Sequence, residues 1–208
     1  MTAKNITAPI IAVDRLRMST DGNGVRTLIG FYGCPLRCKY CLNPQSWNGK
    51  LEPEKYTPME LYDEVKIDNI YFQHTNGGIT FGGGEPLMHA DFIKSFCGIC
   101  PREWTFWAET SLCVPWENVC AVTEHINHFV VDIKTCNPQI YRAYTEADVS
   151  LPLENLNKLV SRIGAERITV RVPLIPGFTT FSDRQETVRV LKKIGITDID
   201  EFEYRTDT

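Results

Sequence analysis

Thr27-Leu28-Ile29-Gly30-Phe31-Tyr32-Gly33-Cys34-Pro35-Leu36-Arg37-Cys38-Lys39-Tyr40-Cys41 is the stretch on which the reading of this chain turns. It begins as an apolar run of strand character and ends in a loop that holds Cys34, Cys38 and Cys41. Thiols packed this densely beside Pro35 and Arg37 do not read as core packing. Iron–sulfur clusters are normally held by four thiolates, so a loop with three leaves one iron of a 4Fe-4S cube open to a small ligand. The gaps differ from the bacterial ferredoxin run, which also supplies a fourth cysteine. Zinc is the weaker alternative, because His74, His89, His125 and His128 offer no second ligand pair at the usual spacing.

Working outward, short apolar runs alternate with helical patterns, the mark of parallel strands joined by crossover helices. The strands are expected at Thr27–Tyr32, Gly78–Phe81, Trp104–Ala108, His128–Ile133, Ile168–Leu174 and Ile199–Tyr204. Thr57-Pro58-Met59-Glu60 reads as a capping box with proline at the first helical position, and Ser182-Asp183-Arg184-Gln185 follows the same logic. Leu153, Leu156, Val160 and Ile163 mark an amphipathic helix closed by Gly164. Six β/α units are fewer than the eight of a closed barrel, so the expected fold is α/β, an open partial (β/α)6 TIM-like barrel.

In such barrels reactive groups lie on the loops after the strands. The cysteines follow the first expected strand and Gly82-Gly83-Gly84-Glu85-Pro86 the second. Glu109-Thr110-Ser111 follows the third, and Asp132-Ile133-Lys134 ends the fourth. All four segments therefore fall on one rim. Gly83 and Gly84 allow close backbone approach, and Glu85 can accept hydrogen bonds from an ammonium group. Asp132 and Lys134 are two apart on a strand and face the same way, as a functional mouth or as a rim salt bridge. Arg171 offers a planar fork suited to a carboxylate. Tyr40, inside the loop, is expected to turn its ring toward the cluster side.

Composition adds bounds. A chain of 208 residues suits one domain, expected over residues 1–208. Hydrophobic content of 43%, charged content of 23% and a formal charge of −4 are those of an ordinary soluble protein and give no reason to expect nucleic acid. The run Ala8 to Val13 is too short for a membrane span or a signal-peptide core, so a cytoplasmic protein is expected. The eight cysteines do not suggest a disulfide framework, since Cys34, Cys38 and Cys41 share one loop. Cys97, Cys100, Cys113, Cys120 and Cys136 read as small buried side chains.

The loop Cys-x3-Cys-x-aromatic-Cys followed by Gly-Gly-Glu resembles the radical S-adenosylmethionine (SAM) superfamily. There the open iron chelates SAM, and an electron from the cluster releases a 5′-deoxyadenosyl radical that removes hydrogen from unactivated carbon. Further segments narrow the resemblance to the glycyl-radical-enzyme activating enzymes: Asp21 to Thr27, Asn43 to Trp47, Gly77 to Leu87, Asp132 to Lys134 and Arg171 to Gly177. That family removes hydrogen from a backbone glycine of a partner enzyme, with flavodoxin or ferredoxin as electron donor.

The resemblance implies Cys34, Cys38 and Cys41 as cluster ligands, with Tyr40, Gly83, Gly84, Glu85, Asp132, Lys134 and Arg171 contacting SAM. It also implies a monovalent cation held by Glu109, Thr110, Asp132 and the Val130 carbonyl, although Glu109 has a longer arm than the family's aspartate. This chain resembles the short subclass, because Trp47 leads to the Thr57 helix without a cysteine-rich insert. A SAM-contacting histidine expected toward the C-terminus has no counterpart. Three other readings stay open: an activase of anaerobic ribonucleotide reductase, a small-molecule radical SAM enzyme resembling 7-carboxy-7-deazaguanine synthase, and an iron–sulfur electron-transfer protein.

Overall fold

Strands covered on both faces need nearly continuous apolar sequence, and the central strands of this chain have it. The computed structural model describes residues 6–18 and 21–204. Its strands are β1 (Ala8–Met18), β2 (Val25–Phe31), β3 (Glu54–Tyr56), β4 (Gly78–Gly83), β5 (Thr105–Thr110), β6 (His128–Asp132), β7 (Ile168–Leu174) and β8 (Asp198–Glu203). They form one sheet in the order β3-β1-β2-β4-β5-β6-β7-β8. From β2 to β8 every neighbouring pair is parallel, whereas β1 runs antiparallel to both β2 and β3.

The helices are α1 (Pro58–Val65), α2 (Asn69–Thr75), α3 (Ala90–Ile99), α4 (Trp116–Val122), α5 (Pro138–Thr145), α6 (Ser150–Ile163) and α7 (Phe181–Ile194). The Thr57/Glu60 capping box opens α1 as expected, and Gly164 ends α6 at φ +84°. At α7 the cap differs from the expectation. Thr180 and Asp183 form the box, and Ser182 lies inside the first turn. Phe92 and Phe96 of α3 pack with Phe31, Phe81 and Phe106 of the sheet into one buried aromatic layer.

All six expected parallel strands are present, Ile168–Leu174 with the expected bounds and the others with ends displaced by at most two residues. Trp104 precedes β5 and instead donates its indole N–H to Asn69 Oδ1 at 2.7 Å. The two antiparallel strands were not expected from sequence. In β1 the apolar run gives way to Asp14, Arg15 and Arg17, and the register with β2 breaks between Asp14 and Arg17, where Leu16 has φ +58°. That is a β-bulge, which disrupts the alternation on which a sequence reading relies. β3 is only Glu54-Lys55-Tyr56 and carries no pattern at all. Among the described residues no helix is long and apolar enough to cross a membrane.

At the end of the sheet opposite the cysteines, the fully buried Arg26 ties three strands together. Its guanidinium donates to Thr80 Oγ1 (2.7 Å), the Ile79 carbonyl (2.5 Å) and the Thr105 carbonyl (3.0 Å), and lies over the Trp107 ring. Burial lowers its pKa to about 10, yet it stays charged at neutral pH. Arg26→Leu would leave these acceptors unpaired. We expect a stability loss of about 2–4 kcal/mol in denaturant unfolding, and an unchanged midpoint would contradict the stapling role.

Candidate active site

Gly33, at φ +102°, turns the chain out of β2 into the cysteine loop. The loop is fixed on two sides. The Gly33 amide donates to the Ser46 carbonyl (2.6 Å), and the Glu85 amide donates to the Gly33 carbonyl (2.7 Å). On the other side, Arg37 N–H meets the Thr145 carbonyl (2.8 Å) and Lys39 N–H the Tyr144 carbonyl (3.1 Å), at the end of α5. Arg37 Nη1 also holds the Cys34 carbonyl at 2.7 Å, and its guanidinium stacks on Trp47.

Cys34, Cys38 and Cys41 line one cavity together with Gly83, Gly84, Glu85, Glu109, Asp132, Lys134 and Arg171. The rim inferred from sequence is thus a single physical site. Among the described residues all eight cysteines are free thiols. Burial pushes the Cys34 thiol up to about 12 and the Cys38 thiol up to about 11, the latter against the pull of the Lys134 ammonium. Thiolate ligation therefore releases protons as a metal centre loads. Among the described residues no group of His, Cys, Asp and Glu side chains converges on a single ion. A 4Fe-4S cube needs a different arrangement, with each thiolate reaching its own iron, and three thiols along one cavity wall fit it.

Glu85 is 1% exposed. Its Oε1 accepts from Thr110 Oγ1 (2.6 Å) and Leu87 N–H (3.2 Å), and its Oε2 from Ser111 N–H (2.8 Å) and Ser111 Oγ (2.6 Å). Burial raises this carboxyl, and the four donors only partly offset that. With every acceptor position filled, the carboxylate is a strut between the β4 and β5 loops and not the free acceptor for an ammonium group expected from sequence. Backbone oxygens around Gly83 and Gly84 are left for that role. The Gly83 carbonyl faces Asn43 Nδ2 at 3.4 Å, and both residues border the cavity. A Cβ at Gly84 would stand 2.1 Å from the Gly33 carbonyl oxygen, so the backbones of the two loops touch only because this residue is glycine.

Across the cavity runs a chain of charges. Arg171 Nε and Nη2 fork onto Asp132 Oδ1 (2.9 Å) and Oδ2 (3.1 Å), and its Nη1 reaches Glu109 Oε1 at 3.2 Å. Lys134 Nζ lies 3.5 Å from Asp132 Oδ2. Burial alone would raise the Asp132 carboxyl, but Lys134 and Arg171 outweigh it and hold it below the usual carboxylate range. For Glu109 burial wins, and its carboxyl is raised despite Arg171. A cavity with fixed charges of both signs beside three thiols suits a zwitterionic ligand next to a cluster.

The Tyr40 ring departs from expectation. It packs against Tyr144, Phe178 and Tyr204 and does not line the cavity, because α5 and the β7–α7 loop offer an aromatic bed behind the cysteine loop. The cavity position is taken by Tyr204, whose hydroxyl donates to the Tyr40 carbonyl at 2.7 Å and whose ring faces Lys134 Nζ. Tyr204, Phe202, Asn43 and Ser111 are site residues to which the sequence reading gave no role. Ser111, next to Thr110, and Asn43, at the head of the Asn43–Trp47 segment, had a local signal there.

Cys34→Ala should lower bound iron and sulfide to background after reconstitution; full cluster content would overturn the ligand assignment. Glu85→Gln turns an amide N–H2 toward Ser111 or Thr110 donors. It should reduce stability by about 2–3 kcal/mol, read by chemical denaturation, while an unperturbed variant would show that the strut is dispensable.

Comparison with known proteins agrees with this geometry. The radical SAM superfamily profile matches residues 28–191. The pyruvate formate-lyase-activating enzyme of Clostridium pasteurianum is 30% identical over 174 residues, covering 84% of this chain and 71% of that protein. The pyruvate formate-lyase 2-activating enzyme of Escherichia coli is 28% identical, covering 95% and 77%. Among solved structures, Streptococcus suis SuiB bound to the precursor peptide SuiA superposes with a TM-score of 0.65 at 12% identity, over 85% of this chain and 38% of that one. The likeness to SuiB concerns the fold, an open sheet of the radical SAM type. By profile, relatives and site geometry together, the chain belongs to the radical SAM superfamily and, within it, to the activating enzymes of glycyl radical enzymes.

Proposed function

We propose that this protein installs a radical on a backbone glycine of a partner enzyme, using a 4Fe-4S cluster on Cys34, Cys38 and Cys41 and SAM in the adjoining charged cavity. The observation that carries the reading is the meeting of three free thiols, three carboxyl groups and two cations on the wall of one cavity. When bound, the reduced cluster supplies the electron that cleaves SAM to the hydrogen-abstracting 5′-deoxyadenosyl radical.

The chain's own residues do the rest. Gly83 and Gly84 present backbone to the amino acid end of SAM, and Lys134 and Arg171 supply positive charge to its carboxylate. Asp132 stays ionised between them and holds both in place. An electron carrier has no use for such a charged, amino-acid-binding rim. A macromolecular substrate is supported by the cavity lining, which includes Leu42, 71% exposed, and Phe202.

The electron donor is proposed to be a flavodoxin or ferredoxin approaching from outside the loop. Cys38 and Cys41, which also line the SAM cavity, border a second pocket there with Arg37, Lys39 and Trp47. Free thiols throughout the chain suit a reducing cytoplasm, and the whole chain is read as one domain.

The test is electron paramagnetic resonance on reduced, reconstituted protein given SAM and a candidate glycyl radical enzyme. A glycyl doublet with release of 5′-deoxyadenosine is expected. SAM cleavage with no doublet on any such partner would contradict the protein-substrate reading and point to a small-molecule substrate.

A further inference from the structure

The four groups named for a monovalent cation are not assembled as a cation cage. Thr110 Oγ1 donates to Glu85 and accepts from Leu112 N–H at 2.9 Å, which fixes its orientation and leaves it one lone pair. Val130 lies in β6 and does not border the cavity. Glu109 and Asp132 do face the cavity, but a guanidinium joins them: Arg171 touches Asp132 through Nε and Nη2 and Glu109 through Nη1. Strand register makes this arrangement local. Asp132 is the direct neighbour of Arg171 across β6 and β7, and Glu109 pairs with Val130 one strand further on. The extra methylene of glutamate over aspartate gives Glu109 the reach to bridge that strand.

We propose that the guanidinium of Arg171, held between Glu109 and Asp132, serves as the fixed positive charge of the site in place of an alkali ion, so that SAM binding needs none. The proposal rests on reading this cavity as the SAM site. Three of the five guanidinium N–H groups serve the two acids, which leaves two for a substrate carboxylate. Arg171 and Lys134 offset Asp132 and Glu109, and the third acid on the wall, Glu85, is held by four uncharged donors, so each acid there already has a partner without an ion. A hydrated alkali ion entering there has to displace charge-assisted hydrogen bonds from a tethered cation that cannot lose its proton.

The experiment is a SAM titration of the reduced holoprotein, read by the change in the cluster's paramagnetic resonance, in choline, lithium, sodium and potassium chloride at equal ionic strength. The apparent affinity is expected to agree within about twofold across the four salts, less than one lost charged contact would produce. Arg171→Gln, checked for cluster content, leaves Glu109 without a cationic partner and Asp132 with Lys134 alone; its SAM affinity should then rise about tenfold when sodium or potassium replaces choline. Wild-type affinity that depends on the ion would overturn the proposal, and so would an ion-indifferent variant with wild-type affinity. No SAM response in any salt would remove the underlying SAM-site reading, and the proposal with it.

Discussion

Glu85 is the joint on which the site depends. Its amide donates to the Gly33 carbonyl at the threshold of the cysteine loop, and its carboxylate gathers the Thr110 hydroxyl and both donors of Ser111 after β5. One residue thus sets three segments at fixed separation: the loop that carries the thiols, the turn that presents glycine backbone, and the end of β5, where Thr110 follows Glu109. A buried carboxylate with all its acceptor positions filled is a stiff element, because any movement leaves a charge unpaired in a dry place. Its sequence setting follows from the same geometry. Gly84 has to lack a side chain where the backbones of two loops touch, and Gly83, at φ +92°, takes a backbone conformation that few other residues adopt.

Much of this was legible in the sequence. The parallel strands were found because strands buried on both faces leave an apolar record, and much of the cavity's lining was legible because those residues sit in short contiguous runs at the ends of strands. What was not legible has physical reasons too. β1 alternates poorly because a bulge at Leu16 breaks its period, and β3 is a short edge strand whose pairing owes nothing to its side chains. The strut role of Glu85 depends on Ser111, twenty-six residues away, a relation that no local pattern carries. Tyr204 reaches Tyr40 across a separation of 164 residues, and only the curvature that carries the end of β8 back to the cysteine loop brings them together.

The electrostatics divide the cavity wall into two zones. Near the thiols, burial dominates and favours neutral groups, so Cys34 and Cys38 hold their protons until a metal centre takes the sulfurs. Farther along, Asp132, Lys134 and Arg171 keep one another charged despite burial, which preserves a polar cradle for a zwitterion. The two zones meet at Lys134, which faces Asp132 on one side and lowers the Cys38 thiol on the other. On the proposed reading, a ligand that bridges them would sit with its charged end beside the three thiols.

That adjacency is the central claim, and electron–nuclear double resonance tests it most directly. Reduced, reconstituted protein would be studied with SAM isotopically labelled at its amino nitrogen and its carboxylate oxygen. Hyperfine coupling of both labels to the cluster is the predicted result. A cluster that forms on the three cysteines but shows no coupling to either label would contradict the account.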